Sequence, residues 1–195
     1  MVSYNSIVQW MDVNEKKVYC DTVARLTGKY MLYGATLSDG TISIPLEHEK
    51  NQVLITDWLG WSAINTITRL GGQTDWVELI TAHGKAILGT SDTLIPVYNP
   101  DVLTVGFHGE RKYAYELKEF GEISDEESIV RVRHSIDDND IDIHFDTIVS
   151  VVVYDNYYHA FDDMELSTIG YHIITKSGFF NCNDIYLSSA KSNKV

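Results

Sequence analysis

Short apolar runs with a period near two dominate this chain. WVELIT (76–81), AILGT (86–90), IVRVRHSI (129–136) and IDIHFDTIVSVVVY (141–154) are rich in β-branched and aromatic residues, the mark of strands with one face on a core. Turn residues punctuate them: Ser38-Asp39-Gly40, Ala82-His83-Gly84-Lys85, Asn99-Pro100-Asp101 and Asp137-Asp138-Asn139-Asp140. Residues 17–33 read as strand, a Thr27-Gly28-Lys29 turn, and strand. TISIPL (41–46) alternates. In the run from Val53 to Gly72, Val53, Ile55, Trp58, Trp61, Ile64 and Ile67 are the core candidates. AYELKEF (114–120) has room for one helical turn. Arg131 and Arg133 are expected to face Asp142, His144 and Asp146 across a long hairpin. The pattern predicts a mainly β, compact fold of several long curved hairpins with little helix.

The stretch Tyr171–Ser189 organises the rest. Ile173, Ile174, Phe179 and Phe180 suit a half-buried pleated surface. Lys176-Ser177-Gly178 supplies a turn. Asn183-Asp184 interrupts the second strand with residues that tolerate left-handed or bulged backbone, and Ile185, Tyr186 and Leu187 resume it. The expected organisation is an N-terminal arm (1–16), one β domain (17–189) and a polar tail (190–195).

Charge narrows the partners. With Lys+Arg 15 and Asp+Glu 28 the net charge is -13. That disfavours nucleic acid, whose phosphates call for a basic face, and anionic membrane; it favours a basic protein partner. The two cysteines, Cys20 and Cys182, define neither a disulfide framework nor a zinc motif. MVSYNSIVQW lacks the basic and apolar regions of a signal peptide, and no apolar run is long enough for a membrane span. A product made in the cytoplasm, with no cofactor and no metal, is expected. Glu47-His48-Glu49 and the acidic turn 137–142 imitate metal ligands weakly: Ile143 stands where a calcium loop needs glycine. Trp10 and the cluster Tyr157, Tyr158 and Phe161 are candidate interaction residues, since aromatics with a polar tip favour interfaces.

The closing stretch resembles the final blocks of the Hint (hedgehog/intein) family: Tyr171, Thr175, Gly178, Phe180, Asn183, Asp184 and Ile185 match its framework. Thr90 matches the threonine of the family's Thr-x-x-His block. Leu117, Gly121 and Ile123 match a further segment, with Glu122 at its usual Asp, and Ile148–Tyr154 match the strand before the closing blocks. Asp21-Thr22-Val23 resembles the Asp-Thr that follows the nucleophile by about four residues, which puts the nucleophile position at Lys17. The resemblance implies a Hint-like fold and a set of replaced groups. Lys17 stands for the nucleophile, Thr93 for the block histidine, His172 for the Asp, Phe179 for a second His, and Ser188-Ser189 for the terminal His-Asn pair.

Splicing needs a thiol or hydroxyl at the first position, a His to activate the first peptide bond, and a terminal Asn. The resemblance therefore implies a degenerate Hint fold with no catalytic residues: a structural protein, one subunit among others in an assembly such as a bacteriophage virion (a baseplate or tail adaptor). Two alternatives stand beside it. Cys20 is either a displaced nucleophile, giving an N-to-S acyl shift and cleavage after Tyr19, or a core or edge thiol. The tyrosine-rich segment around 157–161 is alternatively the wall of a ligand pocket.

Overall fold

The computed structural model describes residues 1–31, 35–36, 38, 41–43, 53–57, 60–73, 75–105, 111–124, 128–137, 140–155 and 169–190. Trp58, Tyr157, Tyr158, Phe161, the Glu47–Glu49 loop and the side chains of the 137–142 turn lie outside them.

The strands are β1 (Val2–Ser3), β2 (Ile7–Asp12), β3 (Lys17–Thr22), β4 (Ala35–Thr36), β5 (Thr41–Ser43), β6 (Val53–Asp57), β7 (Gly60–Leu70), β8 (Asp75–Thr81) and β9 (Ala86–Thr90). There follow β10 (Leu94–Val105), β11 (Arg111–Glu119), β12 (Ile129–Asp137), β13 (Asp140–Asp155), β14 (Gly170–Thr175), β15 (Phe179–Cys182) and β16 (Ile185–Ser188). One continuous hydrogen-bonded path runs β15-β16-β12-β13-β8-β9-β1-β14-β7-β6-β2-β3, with β5 on β7 and β4 on β5. β15 also packs against β2 and β6, so the ends of the path fold back on each other around one core. That core takes Val2, Val8, Ile55, Ile67, Leu79, Ile87, Val132, Ile148, Ile173 and Leu187 from nearly every strand. β10 and β11 form a separate ribbon. The fold is all-β in character, as the period-two pattern predicts. No helix among the described residues is long and apolar enough to cross a membrane.

Several local expectations change. Residues 23–31 are a helix, α1 (Val23–Met31), not a turn and a strand. Val23, Leu26, Thr27 and Tyr30 are its buried residues, spaced to make one helical face. The Thr22 hydroxyl accepts the Arg25 N–H at 3.3 Å where the helix starts, and Arg25 pairs with Asp21 one turn back at 3.0 Å. Gly28 sits on the solvent side, so its turn-like sequence is overridden by the apolar spacing. AYELKEF is strand β11 closing in a single 3-10 turn at Phe120–Glu122. The Asn99-Pro100-Asp101 signal marks a register shift within β10, between Asn99 and Leu103.

Residues 1–12 do not form a peripheral arm. β1 lies between β9 and β14, and β2 lies between β3 and β6. Val2 and Val8 are each 1% exposed, and Trp10 is 3% exposed and stacked on Tyr19 with centroids 4.2 Å apart. Trp10 is thus a core residue and not a surface contact. Val53, Ile55, Ile64 and Ile67 are buried as expected, whereas Trp61 is exposed.

Arg131 and Arg133 fall opposite Phe145 and Ile143, while Asp146 and His144 oppose Val130 and Val132. A one-residue difference in register moves a side chain to the other face, so Arg131 lies over the Tyr98 and Phe145 rings. Asp146 instead meets His83, with Nδ1 to Oδ1 at 2.9 Å.

The closing stretch keeps its strands and its Gly178 turn (φ 83°), but its pairing differs. β14 joins β7 and β1, and β15 pairs with β16. Asn183 (φ 49°) and Asp184 (φ 64°) form the two-residue turn between Cys182 and Ile185. Two consecutive left-handed residues match the twist of a tight hairpin.

Candidate functional site

Thr90 ends β9, and Thr93 follows a short turn; both are buried. The turn is closed by the Thr93 N–H donating to the Thr90 carbonyl at 2.9 Å. The two hydroxyls converge on residue 1. The Met1 nitrogen donates to Thr90 Oγ1 at 2.5 Å and to Thr93 Oγ1 at 2.6 Å. Its carbonyl accepts from the Thr90 N–H at 2.7 Å and from the Thr93 hydroxyl at 2.8 Å. Thr90 Oγ1 donates in turn to Asp92, whose Oδ1 lies 3.6 Å from the Met1 nitrogen.

The clamp fits only because position 89 is glycine. A Cβ there would stand 2.7 Å from Thr93 Oγ1, 2.8 Å from a Phe120 ring carbon and 3.0 Å from the Met1 carbonyl oxygen. As an α-amine, the Met1 nitrogen has its pKa pulled down to about 6 by burial, against the opposing pull of Asp92 and Asp75. Burial pushes the Asp92 carboxyl up, but the Thr90 hydroxyl and the Met1 nitrogen more than reverse it and hold it below its usual range.

A cavity of about 170 Å³ opens beside this clamp, lined in part by Met1, Asp92, Thr93, His172, Phe180 and Ser188. His172 comes from β14 and Ser188 from the end of β16, so the structure brings together three of the positions singled out in the sequence. Ser189 is buried next to them in the chain; its hydroxyl lies 3.4 Å from that of Thr175, and its N–H donates to the Gly178 carbonyl at 2.8 Å. The Phe179 carbonyl accepts the Thr175 hydroxyl at 2.9 Å. The Phe179 ring packs edge-on to Tyr115, centroids 5.9 Å apart.

Lys17 is elsewhere. It opens β3, five strands from β1 along the sheet, and its ammonium lies over the Tyr19 ring at 4.8 Å. Residue 1, and not Lys17, occupies the place between the two threonines. Asn5-Ser6-Ile7-Val8 follows Met1 by four residues, the spacing from residue 17 to Asp21-Thr22-Val23, which lies at the β3–α1 junction and away from the clamp. Cys20 is exposed on β3 opposite Gln9. Cys182 is fully buried, and burial pushes its thiol up to about 12.

Beside the His172 imidazole and the Asp92 carboxylate, the other polar groups of the cavity have limited chemistry. A thioether has no proton to lose and is at most a weak acceptor. Threonine and serine hydroxyls do not exchange protons near neutral pH as imidazole does. Among the described residues no group of three or more His, Cys, Asp or Glu is placed to hold a metal ion.

The architecture matches solved inteins along nearly its whole length. A transcription factor IIB Mvu mini-intein superposes with TM-score 0.67 at 8% identity, covering 96% of this chain and 98% of that one. An intein from a hyperthermophile gives 0.66 at 10% identity over 96% and 98%, and the TvoVMA intein gives 0.65 at 12% over 97% of both. No protein-family model matches the chain, and no curated protein does. At these identities the likeness is one of fold: the chain has the Hint-like fold of inteins.

Proposed function

We propose that this chain is a non-catalytic protein built on the Hint-like fold, serving as a structural or binding subunit. The observation that carries the reading is the position of Met1. Its nitrogen is held by Thr90 and Thr93, where a spliced chain needs a thiol or hydroxyl residue and a histidine. Ser188 and Ser189 supply neither the imidazole nor the cyclising amide at the other end of the site. Groups that act as a unit in catalysis fail together, and here each is replaced.

An assembly subunit also suits the surface. Leu103, Val105, Tyr113, Tyr115 and Leu117 on the β10–β11 ribbon are each more than a third exposed, and the net charge of -13 complements a basic protein surface. The narrower expectation of a virion part rests on the resemblance alone. The competing reading, autoprocessing at Cys20, is weakened by distance along the fold: the threonine clamp surrounds residue 1 and not β3.

Denatured intact mass of purified protein, after a day with and without excess thiol, tests the proposal. A single uncleaved species under both conditions is expected, in wild type and in Cys20→Ala alike. A thiol-dependent fragment ending at Tyr19, abolished by Cys20→Ala, would overturn it.

A further inference from the structure

A second cleft, of about 510 Å³, lies away from the residue 1 site and shares none of its lining residues. Five elements line it: β2 contributes Ile7, Val8 and Gln9, β3 contributes Cys20, the β8–β9 turn Lys85 and Ala86, the β15–β16 hairpin Asn181 and Asp184, and β12 Arg133. Asn183 fixes this junction. Its side chain accepts the Ile7 N–H at 2.6 Å and donates to the Ala86 carbonyl at 2.8 Å, while its own N–H donates to the Ile7 carbonyl at 2.8 Å. The walls are therefore tied together before any ligand arrives, which lowers the ordering cost of binding.

Arg133 is unusual for so acidic a chain. Its guanidinium bonds the neutral Gln9 side-chain oxygen and pairs with no carboxylate among the described residues. That bond uses one of five N–H donors and steadies the planar group. Lys85 stands in the same cleft, held by Asp184 at 2.7 Å. Asn181 is 3% exposed, and its side-chain N–H₂ has no partner among the described residues; a buried donor left so is costly unless something satisfies it. Two cations and one carboxylate leave the cleft with one net positive charge. That suits a monoanion, whereas the field of a chain at -13 works against a dianion such as phosphate. Ile7, Val8 and Ala86 add an apolar wall beside the charged end.

We propose that this cleft binds a carboxylate on an apolar stem, with Arg133 and Lys85 holding the carboxylate and Ile7, Val8 and Ala86 covering the stem. Such a carboxylate belongs either to a small organic acid or to the C-terminus of a peptide. The test is titration of the isotope-labelled full chain, followed by amide and side-chain NMR shifts. The probes are hexanoate, an acetylated tripeptide ending in leucine as free acid or amide, and inorganic phosphate.

Saturable shifts at Gln9, Lys85 and Asn181 are expected with hexanoate, with the free-acid peptide, or with both. Hexanoate alone assigns a small acid; the free-acid peptide bound in preference to its amide assigns a chain terminus. Arg133→Gln is expected to weaken binding at least tenfold and Lys85→Gln several-fold, with Lys118→Gln, on β11 and outside the lining of the cleft, unchanged. Lys85 lies on a surface turn, so its variant carries the test should Arg133→Gln fail to fold. No saturable shift with either carboxylate, tighter binding of phosphate, or affinity unchanged in Lys85→Gln and in any folded Arg133→Gln would overturn the proposal.

Discussion

Asp146 shows how much one side chain ties together. Its side chain is 1% exposed on β13 and meets the His83 imidazole at 2.9 Å, the His83 N–H at 3.2 Å and the Thr147 N–H at 2.8 Å. Burial pushes its carboxyl up, and the bonds from Thr81, His83 and Thr147 more than reverse this, leaving it below the usual range. An unfolded aspartate titrates near ~3.9. A depressed folded value means that the stabilisation is complete above that pH and is lost as pH falls through the folded value. Urea unfolding between pH 6 and pH 2 is expected to show a steeper acid loss in wild type than in Asp146→Asn. At pH 6 the variant is expected to be less stable by about 1–3 kcal/mol, the cost of leaving buried partners unsatisfied. Parallel pH profiles would remove Asp146 from this role. At this scale the sequence was partly legible. Thr90 and Thr93 are identifiable from their spacing in one hairpin. Residue 1 was not legible because nothing in the sequence around it marks its contact with Thr90 and Thr93, which depends on a pairing of β1 with β9 across about 87 residues. Asp146 was paired with the wrong partner because register depends on turn geometry that composition does not fix.

Elements were legible where the period was unambiguous. β8 and β12 alternate, β9 and β13 are short-range hairpin partners rich in β-branched or apolar residues, and all four appear where expected. α1 did not announce itself, because Thr27-Gly28-Lys29 is turn chemistry and nine residues give a weak periodic signal. The helix makes a sharp prediction at Gly28. A Cβ built there meets nothing within 4 Å, and the residue is absent from the positive-φ glycines. Gly28→Ala is therefore expected to stabilise the protein by about 0.5–1 kcal/mol, raising Tm by roughly 1–4 °C for a chain of this size. A fall in Tm would mean that the position needs a left-handed turn after all. At Asn183-Asp184 the sequence allows a left-handed or a bulged break, and the structure has the left-handed one. That it joins two paired strands was not legible, since the partner of β14 is β7, about a hundred residues earlier.

At the scale of the molecule, the sequence declared an all-β chain with a Hint-like framework but not the order of its sheet, which rests on pairings between distant residues. The largest difference is the first dozen residues, which are central and not appended. Deleting residues 1–12 removes β1 from between β9 and β14 and β2 from between β3 and β6, along with the buried Val2, Val8 and Trp10. The shortened chain is expected to lose its cooperative thermal transition and to accumulate as insoluble protein. A soluble 13–195 fragment with a wild-type far-ultraviolet spectrum and a sharp melt would restore the view of an arm.

The place of β1 has a further consequence during synthesis on the ribosome. Val2 pairs with Gly89 and Tyr171, so β1 waits for β14, a strand far downstream of it. Pairings this distant delay closure and slow folding, and the waiting strand edges invite association between growing chains. The nascent protein is therefore expected to hold β1 beside an unfilled slot until β14 emerges between β1 and β7 and seals the sheet.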